Sequence, residues 1–252
     1  MSMLDEKFLS FLKKDLIPHL FTVYDLIHER GNSKVWVLKE ADEVKGYLLC
    51  WEPANSWILE AENVKYAEQL IESADPKSGS MITDPKLLET VKFRLKVMEV
   101  HDWLLMYVKK GEESLVDFDD VIRLTPNHID ALYELYKMRP EGKMNKSNIE
   151  RWIRRLPIFG IFKGDSLVSV AGLLAETSYG GVIGGVFTHP KHRRRGYAVK
   201  TVSAATDHAL RESGLAALYV FSSNSAALRL YEKLGYRIHS EKVFLRFERM
   251  RE

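Results

Sequence analysis

The chain has 252 residues, 46% hydrophobic and 29% charged, with a formal net charge of +2. It can fill one large domain or two smaller ones, its composition is not that of a disordered chain, and its charge makes no global case for nucleic-acid or membrane binding. The single cysteine, Cys50, excludes an intrachain disulfide and fits a reducing cytoplasm; inside the apolar run YLLCW it reads as a small hydrophobe.

Phe8, Phe11, Leu12 and Leu16 fall at helical spacing, and Pro18 ends or kinks that helix. Residues 20–30 read as a second helix stopped by Gly31-Asn32. KVWVLK (34–39) and KGYLLCW (45–51) read as a hairpin, and SWILEA (56–61) as a third strand. A helix is expected over 64–73, a short strand over 80–83, a helix from Pro85 to about Val97, and a strand over 101–109. No apolar run approaches the ~18 residues of a membrane span. The amphipathic N-terminus lacks the apolar core and cleavage site of a signal peptide.

The polar, acidic stretch KGEESLVDFDD (110–120) reads as a boundary, placing domains at 1–112 and 117–252. Beyond it come a strand at 121–124, a helix to about Met138, a loop at 140–145 and a helix at 147–155. Strands follow at 158–163, 166–176 and 180–188. A basic loop then leads into a helix ending at Ser213 before Gly214. A strand at 218–222, a helix at 225–234 and a strand at 243–247 complete the order β-α-α-β-β-β-α-β-α-β. That order implies an α/β layer structure on a mixed sheet.

One segment carries chemistry. The strand GGVIGGVFT (180–188) exits at His189-Pro190 into Lys191, His192, Arg193, Arg194 and Arg195, then Gly196-Tyr197-Ala198 and a helix. Backbone N–H groups at a helix start lack intrahelical partners, and the helix dipole adds positive potential there. Glycine admits a close backbone approach, alanine keeps the next turn small, and arginines add charge; the ligand this suits is a pyrophosphate. A basic loop can also be a solvated surface. The segment is neither a Walker loop nor G-x-G-x-x-G.

The run Arg193–Ala198 resembles the R/Q-x-x-G-x-G/A signature of the GNAT N-acetyltransferase superfamily. Val186–Pro190 resembles that family's fourth strand and its exit. Asn224-Ser225-Ala226-Ala227, followed by Leu230–Tyr236, resembles its N-x-x-A-x-x-x-Y-x-x-x-G-F block, with Tyr236 in place of phenylalanine. The resemblance covers about 121–247. It implies the GNAT fold: an α/β (α+β) protein with a mixed, mainly antiparallel sheet flanked by helices, and a catalytic C-terminal half beside a smaller half. It implies an acetyl-CoA-dependent N-acetyltransferase. Val186, Phe187 and Thr188 would bond the pantetheine arm through their backbones. Arg193, Arg194, Arg195, Gly196, Tyr197, Ala198 and Val199 would cradle the pyrophosphate, and Asn224 would contact the cofactor. Tyr231 would protonate the departing thiolate, although its spacing from Leu228 and Leu234 also fits a core aromatic.

Many relatives place a glutamate base on the fourth strand, but 180–188 contains no acid. Glu176 and His189 are the nearest candidates; Glu176 also fits a strand-end surface residue, His189 a structural one, and a water or backbone route stays open. The eight histidines form no metal-ligand cluster, and no metal is expected. Residues 1–110 resemble the degenerate GNAT-like N-terminal region of glycine N-acyltransferase-like relatives, which would shape the acceptor cleft; their tryptophans read as core. The implied partners are acetyl-CoA and a small-molecule amine, in a cytoplasmic protein, with a homodimer open and neither nucleic acid nor membrane expected. The alternative is a non-catalytic acyl-CoA-binding regulatory module.

Overall fold

The computed structural model describes residues 6–139 and 144–249; the expected loop at 140–145 therefore lies largely outside the described residues. The chain separates into two compact units. The first is Met1–Leu105 with Val220–Asn224 and Ile238–Glu252; the second is Met106–Tyr219 with Ser225–Arg237.

The first unit opens with helices α1 (Glu6–Lys14) and α2 (Leu20–His28), joined by a short 3-10 turn that holds Pro18. Strands β1 (Ser33–Glu40), β2 (Glu43–Trp51) and β3 (Ser56–Ala61) form an antiparallel meander. Helix α3 (Val64–Ala74) starts at an Asn63 side-chain cap and crosses over to β4 (Ser78–Thr83), which pairs parallel to β3. The expected helix over 85–97 ends sooner. A 3-10 turn, capped by Asp84, leads into α4 (Leu88–Arg94), and Lys96–Lys109 is already strand β5. Leu95 is extended and buried in the core, so the chain leaves the helix there. Tyr47, Leu48, Leu49 and Leu59 are fully buried at the centre of the sheet, covered by α3 and α4 on one face and by α1 and α2 on the other.

The second unit contains β6 (Ile122–Arg123), α5 (Ile129–Tyr136), α6 (Lys146–Arg155), β7 (Ile158–Lys163), β8 (Ser166–Thr177), β9 (Gly180–Thr188), α7 (Tyr197–Ser213), β10 (Leu215–Phe221) and α8 (Ser225–Lys233). Strands β6 to β9 pair antiparallel in sequence order, whereas β10 runs parallel to β9. The mixed, mainly antiparallel sheet flanked by helices is the architecture expected from the sequence. Helices α5 and α6 cover a cluster of Leu132, Leu135, Tyr136, Ile149, Trp152 and Ile153. The last strand, β11 (Arg237–Glu248), is longer than its apolar run suggests and pairs antiparallel with β4, so the chain's end completes the first unit's sheet.

Candidate acyl-CoA site

The candidate site is built on β9, the loop after it and the start of α7. Strand β9 pairs with β10 only at Gly181–Ile183 and Ala216–Leu218. Just beyond that stretch the β8–β9 register shifts: Gly172 faces Gly184, and Val170 faces Phe187, so Gly185 and Val186 together oppose Ala171. This is a β-bulge, in which the extra residue leaves the regular ladder. Gly185 takes φ +62, and a Cβ there would collide with the Trp152 ring and the Tyr136 hydroxyl, so both conformation and space require glycine. Tyr136 donates a hydrogen bond to the Gly185 carbonyl oxygen, and Trp152 Nε1 donates to Leu173 O at 2.6 Å.

A buried set of hydroxyls holds the loop at both ends. Ser169 Oγ lies 2.8 Å from Thr188 Oγ1 and 3.4 Å from Thr201 Oγ1, joining the end of β9 to the first turns of α7 through β8. Thr201 also donates back to Ala198 O at 3.1 Å. His189, weighed from sequence as a base, accepts from the Lys191 amide at 3.1 Å through Nδ1 and caps a short turn. Sequence reading gave no signal for the hydroxyl set or for Tyr136, because each contact joins residues far apart in the chain.

Arg194 and Gly196 adopt left-handed conformations, at φ +63 and +80, and turn the chain into α7. No side chain caps this helix, so the amides of Tyr197, Ala198 and Val199 at its first turn have no side-chain acceptor. A Cβ on Gly196 would meet nothing within 4 Å, so open space lies in front of this backbone. Arg193 Nε donates to Thr188 O at 3.3 Å and its guanidinium lies over the Phe187 ring. Arg194 and Arg195 are exposed and form no ion pair among the described residues. Lys200 is different: Asp120 neutralises it at 2.7 Å, and that bond holds the Asp120 carboxyl below its usual range. Desolvation, then the nearby Arg195 charge, lowers the pKa of His192. The loop therefore offers unfilled amide donors and free arginine charge at one helix start, a combination that fits a pyrophosphate.

Tyr231 is buried on α8, and its ring meets Tyr236 edge to face at 5.9 Å. Burial pushes its phenol up to about 12. Tyr236, the departure from the phenylalanine of the expected block, is explained by Thr206: the two hydroxyls lie 2.7 Å apart, tying α7 to the turn after α8. Gly235 is required there as well, since its φ is +93 and a Cβ would strike the Glu112 backbone. Asn224 is exposed, with its amide bonded to Phe221 O at 2.9 Å.

Glu176 lies elsewhere on the ladder. It faces Gly181, while Ser169 faces Thr188, so seven strand positions separate it from the loop end, roughly 23 Å along the strand. Its carboxylate is engaged at 2.6 Å by His208 Nε2 of α7. Among the described residues no three His, Cys, Asp or Glu side chains converge as a metal site would require.

Known proteins share this fold. The family model of FR47-like proteins matches residues 158–245, which span β7 to β11. A Drosophila protein superposes with a TM-score of 0.72 at 12% identity, covering 96% of this chain and 95% of its own. A GNAT-family protein from Novosphingobium aromaticivorans superposes at 0.67 and 17% identity, covering 94% and 99%. The fold is that of the GNAT acetyltransferases. A GCN5-related N-acetyltransferase from Kribbella flavida, at 0.64 and 16% identity over 92% and 95%, shares it. No curated protein matches the chain. No described helix is long and apolar enough to cross a membrane.

Proposed function

We propose that the chain is an acetyl-CoA-dependent N-acetyltransferase that acts on a primary amine. The observation carrying this reading is the uncapped start of α7 behind Gly196, flanked by Arg194 and Arg195, which form no ion pair among the described residues, and following a bulged strand that leaves β10 after three paired positions. Acetyl-CoA, when bound, supplies an activated acetyl thioester. The amides of residues 194–199 hold its pyrophosphate, with charge from Arg193, Arg194 and Arg195; the backbone of Val186, Phe187 and Thr188 lines the pantetheine arm, and Asn224 contacts the cofactor beyond β10. A backbone N–H at the bulge polarises the thioester carbonyl while the neutral amine attacks directly. Tyr231, kept protonated by burial, gives its proton to the leaving sulfur. Glu176 is the carboxylate that sequence offers as base; its pairing with His208 favours instead a water that takes the amine proton.

The acceptor is a small-molecule amine in the cytoplasm. Along the chain, 117–252 contains every residue assigned to the donor, and 1–112 is a degenerate GNAT-like region. A second reading, a non-catalytic acyl-CoA-binding regulator, is favoured by one observation: β9 carries no acidic residue. Calorimetric titration of coenzyme A into wild type and Gly196→Glu tests the loop. The left-handed backbone strains glutamate by about 1 kcal/mol, and its charge opposes the phosphates. Affinity is expected to fall at least tenfold with the fold retained. Unchanged affinity would place the pyrophosphate elsewhere.

A further inference from the structure

The Gly185 bulge is held from outside its own strand. Gly185 has a left-handed φ and no room for a Cβ, and its carbonyl accepts from Tyr136, 49 residues earlier in the chain. In a trans peptide the carbonyl of one residue and the N–H of the next point in opposite directions across one rigid plane. There are no cis peptide bonds among the described residues, so fixing Gly185 O also fixes the Val186 N–H in the contrary direction. We propose that Tyr136 is a positioning residue for acyl transfer: its hydroxyl clamps the Gly185–Val186 peptide so that the Val186 N–H is aimed at the thioester carbonyl. This rests on the acetyltransferase reading and adds to it the residue that sets the donor's direction.

Three observations support the assignment. The bulge falls two residues past Ile183, the last position of β9 that pairs with β10, so the clamped peptide sits where that edge of the strand leaves its neighbour. Tyr136 is fully buried at the end of α5, edge-on against Trp152 at 6.0 Å and beside Phe187 at 6.3 Å, so its ring is packed on both sides. Burial raises its pKa, with the Arg139 guanidinium over the ring opposing that rise, and the phenol remains an O–H donor at neutral pH. A preorganised donor stabilises charge that develops on a carbonyl only if its direction is fixed before the reaction. A peptide at a strained glycine would otherwise rotate, and the Tyr136 bond removes that freedom.

The test is Tyr136→Phe, with isotope-edited infrared spectra of bound acetyl-CoA carrying carbon-13 at the thioester carbonyl. In wild type the carbonyl stretch shifts to lower frequency on binding. In Tyr136→Phe it is expected to return toward the free value, with kcat down about tenfold and KM for acetyl-CoA within twofold. Leu132→Ala, in the same core cluster, serves as the packing control and should lower stability while leaving the stretch unchanged. If Tyr136→Phe does not fold, fluorotyrosine at position 136 strengthens the same donor and should move the stretch further from the free value. A bound carbonyl that keeps the wild-type frequency in either variant overturns the assignment. Wild type that binds no acetyl-CoA overturns the underlying reading instead, and the two failures are told apart by the titration alone.

Discussion

The rings of Tyr231 and Tyr236 meet edge to face, 5.9 Å between centroids, and their hydroxyls have different fates. Tyr236 is bonded to Thr206, whereas the Tyr231 hydroxyl has no hydrogen-bond partner among the described residues. Tyr231→Phe is expected to leave acetyl-CoA binding within twofold and lower kcat by about 100-fold, the scale of general-acid catalysis. Because the phenol is pushed up to about 12, its ionisation should not limit the rate below pH 10. Steady-state kinetics with a reactive amine checks both statements; a variant as fast as wild type would make Tyr231 a core aromatic only.

Ser169 is fully buried between Thr188 and Thr201 and fastens both ends of the basic loop. Ser169→Ala takes the hydroxyl partner from Thr188 and leaves Thr201 only its bonds within α7, and about 1 kcal/mol of unfolding free energy should be lost. Coenzyme A affinity should fall several-fold, because the loop's amides lose their fixed direction. Denaturant unfolding and titration read the two effects separately. Lost stability with full affinity would show that the loop holds its shape without this set.

His19 gives the first unit a sensitivity to acid. It is buried, with Nδ1 2.9 Å from the Tyr47 hydroxyl, and its pKa is lowered to about 4 by burial first and by Lys242 and His239 next, with Asp15 opposing. The neutral ring is therefore favoured in the fold. The unfolded chain takes up a proton below the ordinary histidine value of 6.5, so stability is full above that pH and declines as pH falls to about 4. The loss is at most about 3 kcal/mol. His19→Asn should flatten the pH dependence of the urea midpoint over that window; an unaltered slope would assign it to other groups.

Lys242 on β11 is 4% exposed and bonds Glu60 of β3 at 2.6 Å. Burial raises the pKa of Glu60, and Lys242 opposes that rise. Lys242→Met strands the carboxyl and is expected to cost about 3 kcal/mol, most of it recovered in Lys242→Met with Glu60→Gln. Equal stability of the single and double variants would deny the coupling.

The sequence made the repeating part of this architecture legible. Strands β7 and β9 have the bounds that their apolar runs suggest, and the Gly214 stop of α7 is where a left-handed glycine was expected. The loop that opens α7 was legible as a turn into a helix because its cue is local: glycine, arginines and a helix start within a few residues. The devices that complete the site join distant residues, as in Tyr136 with Gly185, Ser169 with Thr201, and Tyr236 with Thr206, and a run of residue types carries no trace of them. Glu176 illustrates the same limit. Its nearness in sequence to β9 suggested a base, but the antiparallel turn carries it to the other end of the ladder and into contact with His208. The return of β11 to β4 was hidden for the same reason, since nothing in RIHSEKVFLRFE names its partner strand.

The most direct test of the central claim is the release of coenzyme A from acetyl-CoA by the purified chain, followed across a panel of primary amines with mass analysis of the products. The account requires release that depends on the amine, one acetylated amine for each coenzyme A set free, and loss of most of that rate in Tyr231→Phe. Tight binding of acetyl-CoA with no amine-dependent release would contradict it, and would leave the chain a binder of acyl-CoA rather than an enzyme.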